Sequence, residues 1–117
     1  MTTERAHDLV LFGASGFVGA LTAAELAATA PDGIRIALAG RSRAKVEAVR
    51  ASLPEAARAW PVIEIDAGDP GQVRSLAEST KVVVTTVGPY ARYGLPLVAA
   101  CAEAGTHYAD LTGEVLF

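Results

Sequence analysis

The sequence predicts an α/β fold: a doubly wound parallel sheet with helices on both faces. Three observations point to it. Short apolar runs alternate with helical segments along the whole chain, a pattern that calls for right-handed crossovers and parallel strands. The first run, Leu9 to Phe12, is continuously apolar, as strands buried on both faces are. It ends at a glycine turn that leads straight into an Ala-rich helical pattern.

The elements follow in order. Met1 to His7 reads as a frayed leader, and Leu9 to Phe12 as the first strand. Phe17 to Ala30 reads as a helix that Pro31-Asp32-Gly33 stops. Ile34 to Ala39 is the second strand, followed by a helix from Arg43 to Leu53 with Ser42 as its N-cap. A looser Ala-rich stretch leads to the third strand, Trp60 to Ile65. Asp69 is placed to cap the next helix, which starts at Pro70 and runs to about Glu78. The Val/Thr run from Lys81 to Val87 is the fourth strand. A helix from Gly94 to Glu103 stops at Gly105, and Thr106 to Ala109 is a short fifth strand. The expected strand order is 3-2-1-4-5, with a ligand held at the carboxyl ends where the order reverses.

Composition narrows the function. The 117 residues make one domain, and with 51% hydrophobic but only 6% aromatic residues the core must be Ala, Val and Leu. A net charge of −3 gives no general pull toward nucleic acid or an anionic membrane. Cys101 is the single cysteine, which excludes a disulfide framework and a thiol metal cluster. Met1 to Asp8 lacks the apolar core of a signal peptide, and no run approaches a membrane span, so the expectation is a soluble cytoplasmic protein.

The glycine turn carries the main chemical signal. Gly13, Gly16 and Gly19 are spaced G-x-x-G-x-x-G, a variant of the dinucleotide-binding fingerprint of Rossmann-type sheets. Gly13 allows a sharp turn, Gly16 allows a pyrophosphate close to the backbone, and Gly19 allows tight packing of helix on strand. The uncapped N–H groups of the following helix add an anion site, so Gly13, Ser15, Gly16, Phe17 and Val18 are the expected pyrophosphate-binding residues. The alternative is a glycine-rich turn that binds nothing.

About 20 residues beyond this motif an NAD site places an acid on the ribose 2′-hydroxyl. Here Ala39-Gly40-Arg41-Ser42 stands at that point. A guanidinium suits a 2′-phosphate, which it can grip bidentately. Arg41 and Ser42 therefore predict NADP, with NAD as the second choice; the competing reading is a solvated basic helix start. Asp66 is expected beside the adenine or as a turn residue. The loop Thr86-Val87-Gly88-Pro89-Tyr90 is expected to pass beside the pyrophosphate, with Gly88, Pro89 and Tyr90 beside the ribose and nicotinamide, and Tyr93 at the nicotinamide side or substrate mouth. Position 94 is Gly, so no Lys stands four residues after Tyr90 to form the acid pair of short-chain dehydrogenases. Cys101 and His107 read as structural residues. Nothing resembles a metal site, and no catalytic residue is identified.

These stretches, with Val87-Gly88-Pro89-Tyr90 and His107-Tyr108-Ala109-Asp110-Leu111-Thr112-Gly113-Glu114, resemble the N-terminal part of saccharopine dehydrogenase-like oxidoreductases. That group includes mycobacterial trans-acting enoyl reductases. The resemblance implies a domain that binds NADP or NAD, followed by a substrate and dimerisation domain. It implies that the Asp110 to Glu114 loop borders the active-site cleft. It also implies hydride transfer to an amino acid-type compound or a lipid enoyl intermediate. The 117 residues are thus expected to be the truncated N-terminal part of a longer oxidoreductase, inactive alone and able to form a homodimer. The rival expectation is a non-catalytic module that senses NADP(H).

Overall fold

The computed structural model describes residues 4–88 and 90–112. Five strands form one parallel sheet in the order β3-β2-β1-β4-β5: β1 His7–Phe12, β2 Ile36–Gly40, β3 Val62–Glu64, β4 Thr80–Thr85 and β5 His107–Ala109. The expected strand order is the observed one. The central strand pairs on both sides, Phe12 aligning with Ala39 of β2 and Thr85 of β4.

Alternation along β1 divides the core in two. Leu11 faces α1 (Phe17–Thr29) and α2 (Arg43–Ala51), in a cluster with Ala23, Leu38 and Val46. Val10 and Phe12 face the other way, onto α3 (Pro70–Ser79) and α4 (Tyr90–Ala104), with Val73, Leu76, Leu97 and Cys101. Because β1 and β2 are covered on both sides, their residues from Val10 to Phe12 and from Ile36 to Gly40 are all buried.

Two expectations are corrected. The leader is not frayed throughout. Arg5 donates to the carbonyls of Ala77, Glu78 and Ala104 and to the Thr106 hydroxyl, and β1 begins at His7. A guanidinium with five donors can close the carbonyl ends of α3 and α4 together. The last helix begins at Tyr90, four residues before the expected start, and carries Pro96 in its interior. Pro96 lacks an N–H and removes one helical bond. Burial compensates, since Tyr90, Gly94, Leu97 and Cys101 recur at intervals of four, three and four and are all buried.

Candidate cofactor site

All five carboxyl ends of a parallel sheet lie at one edge, and a cleft of about 400 Å³ opens there. The loops after β1, β2, β3 and β4 line it, and Tyr93 of α4 completes the wall.

The floor is the glycine turn. Gly13 has φ +91°, a conformation that L side chains rarely adopt. A Cβ there would come within 2.6 Å of the Thr86 hydroxyl, which itself donates to the Gly13 carbonyl at 3.2 Å. At Gly19 a Cβ would collide with the Gly13 carbonyl, so this glycine lets α1 press onto the turn. Gly16 differs. It is exposed, and among the described residues the only neighbour of an added Cβ is the Gly13 carbonyl oxygen at 3.5 Å. Packing within the chain therefore does not require glycine at this position, whereas a ligand seated against the backbone would.

The start of α1 also suits an anion. Ser42 caps α2 by accepting from Lys45 N–H, and Asp69 caps α3 by accepting from Gly71 and Gln72. Gly16 supplies no such side chain to α1, and the Phe17 and Val18 N–H groups meet no acceptor among the described residues. Their side chains stand outward, Phe17 being 83% exposed. What these two residues can offer the cleft is backbone.

Arg41 lines the cleft at the end of β2 and makes no hydrogen bond or ion pair with the described residues. The nearby Arg43, by contrast, donates to the Val62 carbonyl. Ser42 is not in the lining. Asp66 is there, and it also forms the turn that follows β3, accepting from Gly68 N–H at 2.9 Å. Gly88 lines the fourth side, and Pro89 lies outside the described residues.

Tyr90 is 5% exposed, donates its hydroxyl to the Thr85 carbonyl at 3.3 Å, and does not line the cleft. The structure thus brings Gly13, Ser15, Gly16, Arg41, Asp66 and Gly88 together, but neither Tyr90 nor the Ser42 side chain. Thr86, at the head of the loop expected beside the pyrophosphate, lines the cleft as well. A residue that follows β4 in a parallel sheet must abut the turn that follows β1.

Of the Asp110 to Glu114 loop, Gly113 and Glu114 lie outside the described residues. Asp110 accepts from the Tyr108 hydroxyl at 2.6 Å and from Thr112 N–H at 3.0 Å. Burial and this carboxylate hold the Tyr108 phenol well above its ordinary pKa. Among the described residues no three His, Cys, Asp or Glu side chains gather as metal ligands, and no helix is long and apolar enough to cross a membrane.

Residues 9–115 match the family described as the saccharopine dehydrogenase NADP-binding domain. The chain belongs to this family. A Mycobacterium tuberculosis protein with the provisional name trans-acting enoyl reductase is 60% identical over 115 residues, covering 98% of the chain. The chain spans only 27% of that relative. Among solved structures, apo saccharopine dehydrogenase (L-Glu forming) from Saccharomyces cerevisiae superposes with a TM-score of 0.74 at 22% identity, over 94% of the chain and 23% of the enzyme. A short-chain dehydrogenase/reductase from Veillonella parvula in complex with NADP gives 0.67 at 19% identity, over 89% of the chain and 46% of that protein. Both likenesses agree with the Rossmann-like sheet. The cofactor of this saccharopine dehydrogenase-type domain is NADP, as Arg41 suggested.

Proposed function

We propose that this domain is the cofactor-holding part of an oxidoreductase that transfers hydride to an enoyl substrate. The observation that carries the cofactor side is Arg41, a guanidinium without a partner in the described chain, at the end of the strand where an NAD site would carry an acid. Phe17 and Val18 N–H groups would meet the pyrophosphate at Gly16, and Arg41 the 2′-phosphate. Asp66 and Ala67 would face the base, and Gly88 the ribose. NADP would supply the hydride chemistry; the chain's own residues bind and orient it.

The enoyl substrate is supported by the name of the 60% identical relative, and an amino acid-type substrate by the likeness to saccharopine dehydrogenases. Among the described residues the ionisable groups lining the cleft are Arg41, Asp66 and Tyr93, a set suited to binding. Catalysis would then draw on groups from the longer polypeptide that such relatives have. Pairing with a second copy belongs to the same proposal. Val82 and Val84 are only half-buried, Ala109 is exposed, and all three face the α1 side of the sheet by register. Sedimentation of the chain at rising concentration would show a dimer, and a monomer throughout would overturn that part.

Titration calorimetry tests the cofactor assignment. NADP is expected to bind more tightly than NAD. Arg41→Ala should weaken NADP by about 1–3 kcal/mol, the scale of a charge-assisted contact, and leave NAD nearly unchanged. Equal affinities for the two cofactors in the parent chain would sink the assignment.

A further inference from the structure

We propose that Tyr93 is the aromatic residue that meets the cofactor, at its adenine end, where the ring serves as a stacking platform for the purine. The proposal rests on the NADP reading above and deepens it.

The cleft gives the cofactor a direction. Pyrophosphate at the Gly16 turn and a 2′-phosphate at Arg41 leave the base pointing toward the β3 side of the sheet, away from β4 and β5. The loop on that side is Ile65-Asp66-Ala67, and Tyr93 stands in the same wall. A second cavity of about 280 Å³ fixes the ring's position. Tyr93 and Ala67 line both cavities, and the other walls of the second are Gly68, Pro70 and Val73 from the β3–α3 segment, with Arg92 and Pro96 from α4. Tyr93 therefore sits between α4 and the start of α3, at the base end of the cleft.

The ring is half-buried, so it is held by its surroundings yet reaches the cleft. The Arg92 guanidinium lies over it, 5.1 Å from the ring centroid, a contact that steadies the side chain. Tyr90, three residues earlier on α4, turns into the core instead. An aromatic face beside the Asp66 loop favours a planar base by stacking, and stacking is indifferent to which nicotinamide chemistry lies at the far end.

The test divides the cofactor into its halves. The parent chain, Tyr93→Phe and Tyr93→Leu are titrated with NADP, with adenosine 2′,5′-bisphosphate and with nicotinamide mononucleotide. Tyr93→Leu keeps apolar bulk for the fold and removes the π-face, and thermal unfolding confirms that each variant is folded. Tyr93→Leu should weaken NADP and the adenosine bisphosphate alike by about tenfold, the scale of one lost base–aromatic stack. Tyr93→Phe should stay within about twofold of the parent, and the mononucleotide should not distinguish the three chains. Unchanged binding of the bisphosphate to Tyr93→Leu, or a loss confined to the mononucleotide, overturns the proposal while leaving the NADP site standing. A parent chain that binds neither NADP nor the bisphosphate overturns both.

Discussion

Gly16 and Gly19 belong to one motif, yet the structure assigns them different work. Gly19 is fixed by the fold, because a Cβ there would lie within 2.7 Å of the Gly13 carbonyl carbon, and backbone cannot step aside. Gly16 is exposed, and a Cβ there would make only an ordinary contact with the Gly13 carbonyl oxygen at 3.5 Å. Gly19→Ala should therefore destabilise the chain by about 3 kcal/mol, the upper range for forcing a methyl into a packed site, visible as a lower denaturation midpoint. Gly16→Ala should leave that midpoint nearly unmoved and weaken NADP by about 1–3 kcal/mol, as a displaced charge-assisted contact would. If both variants lose stability equally, Gly16 is a folding residue and its glycine is not kept for a ligand. Sequence spacing alone could not separate these roles, since it shows three glycines and not what stands beside them.

At the scale of elements, strands and caps were legible because their signals are local. Ser42 and Asp69 cap α2 and α3 where their side-chain chemistry places them, and the apolar run of β1 lies in the centre of the sheet. The start of α4 was not legible in this way. From sequence the helix was expected to begin at Gly94, whereas the core-facing spacing from Tyr90 to Cys101 decided the matter through long-range packing. That misplacement is why Tyr90 was expected in the cleft, with Tyr93 at its nicotinamide side or substrate mouth. Arg5 was hidden for a related reason, because its acceptors lie more than seventy positions along the chain. Arg5→Ala should cost about 2 kcal/mol, within the range for hydrogen bonds to a charged donor. In urea titrations this would move the midpoint without changing the slope. NADP affinity should be unaltered, because Arg5 closes the edge of the sheet opposite the cleft; a parallel loss of affinity would refute that separation.

For the whole molecule, the fold itself supplies a probe of cofactor choice. Cys101 is 1% exposed between α4 and the sheet, and burial pushes its thiol up to about 11. Both effects make it inert in the native state near neutral pH, since the thiolate is the reactive form. Labelling by a thiol reagent should then proceed only from molecules that have opened, and its rate reports the population of that open state. The cleft is built from the loops after four strands, so a ligand bound there should favour the closed fold over a globally opened one. At a concentration of about one hundred times its dissociation constant, NADP should add about 2.7 kcal/mol. Labelling should slow about a hundredfold in step, and NAD at the same concentration should slow it much less. Arg41→Ala should remove the difference between the two cofactors while leaving the unliganded labelling rate as it was. A labelling rate indifferent to saturating NADP would mean that Cys101 is reached by local opening of α4, uncoupled from the cleft.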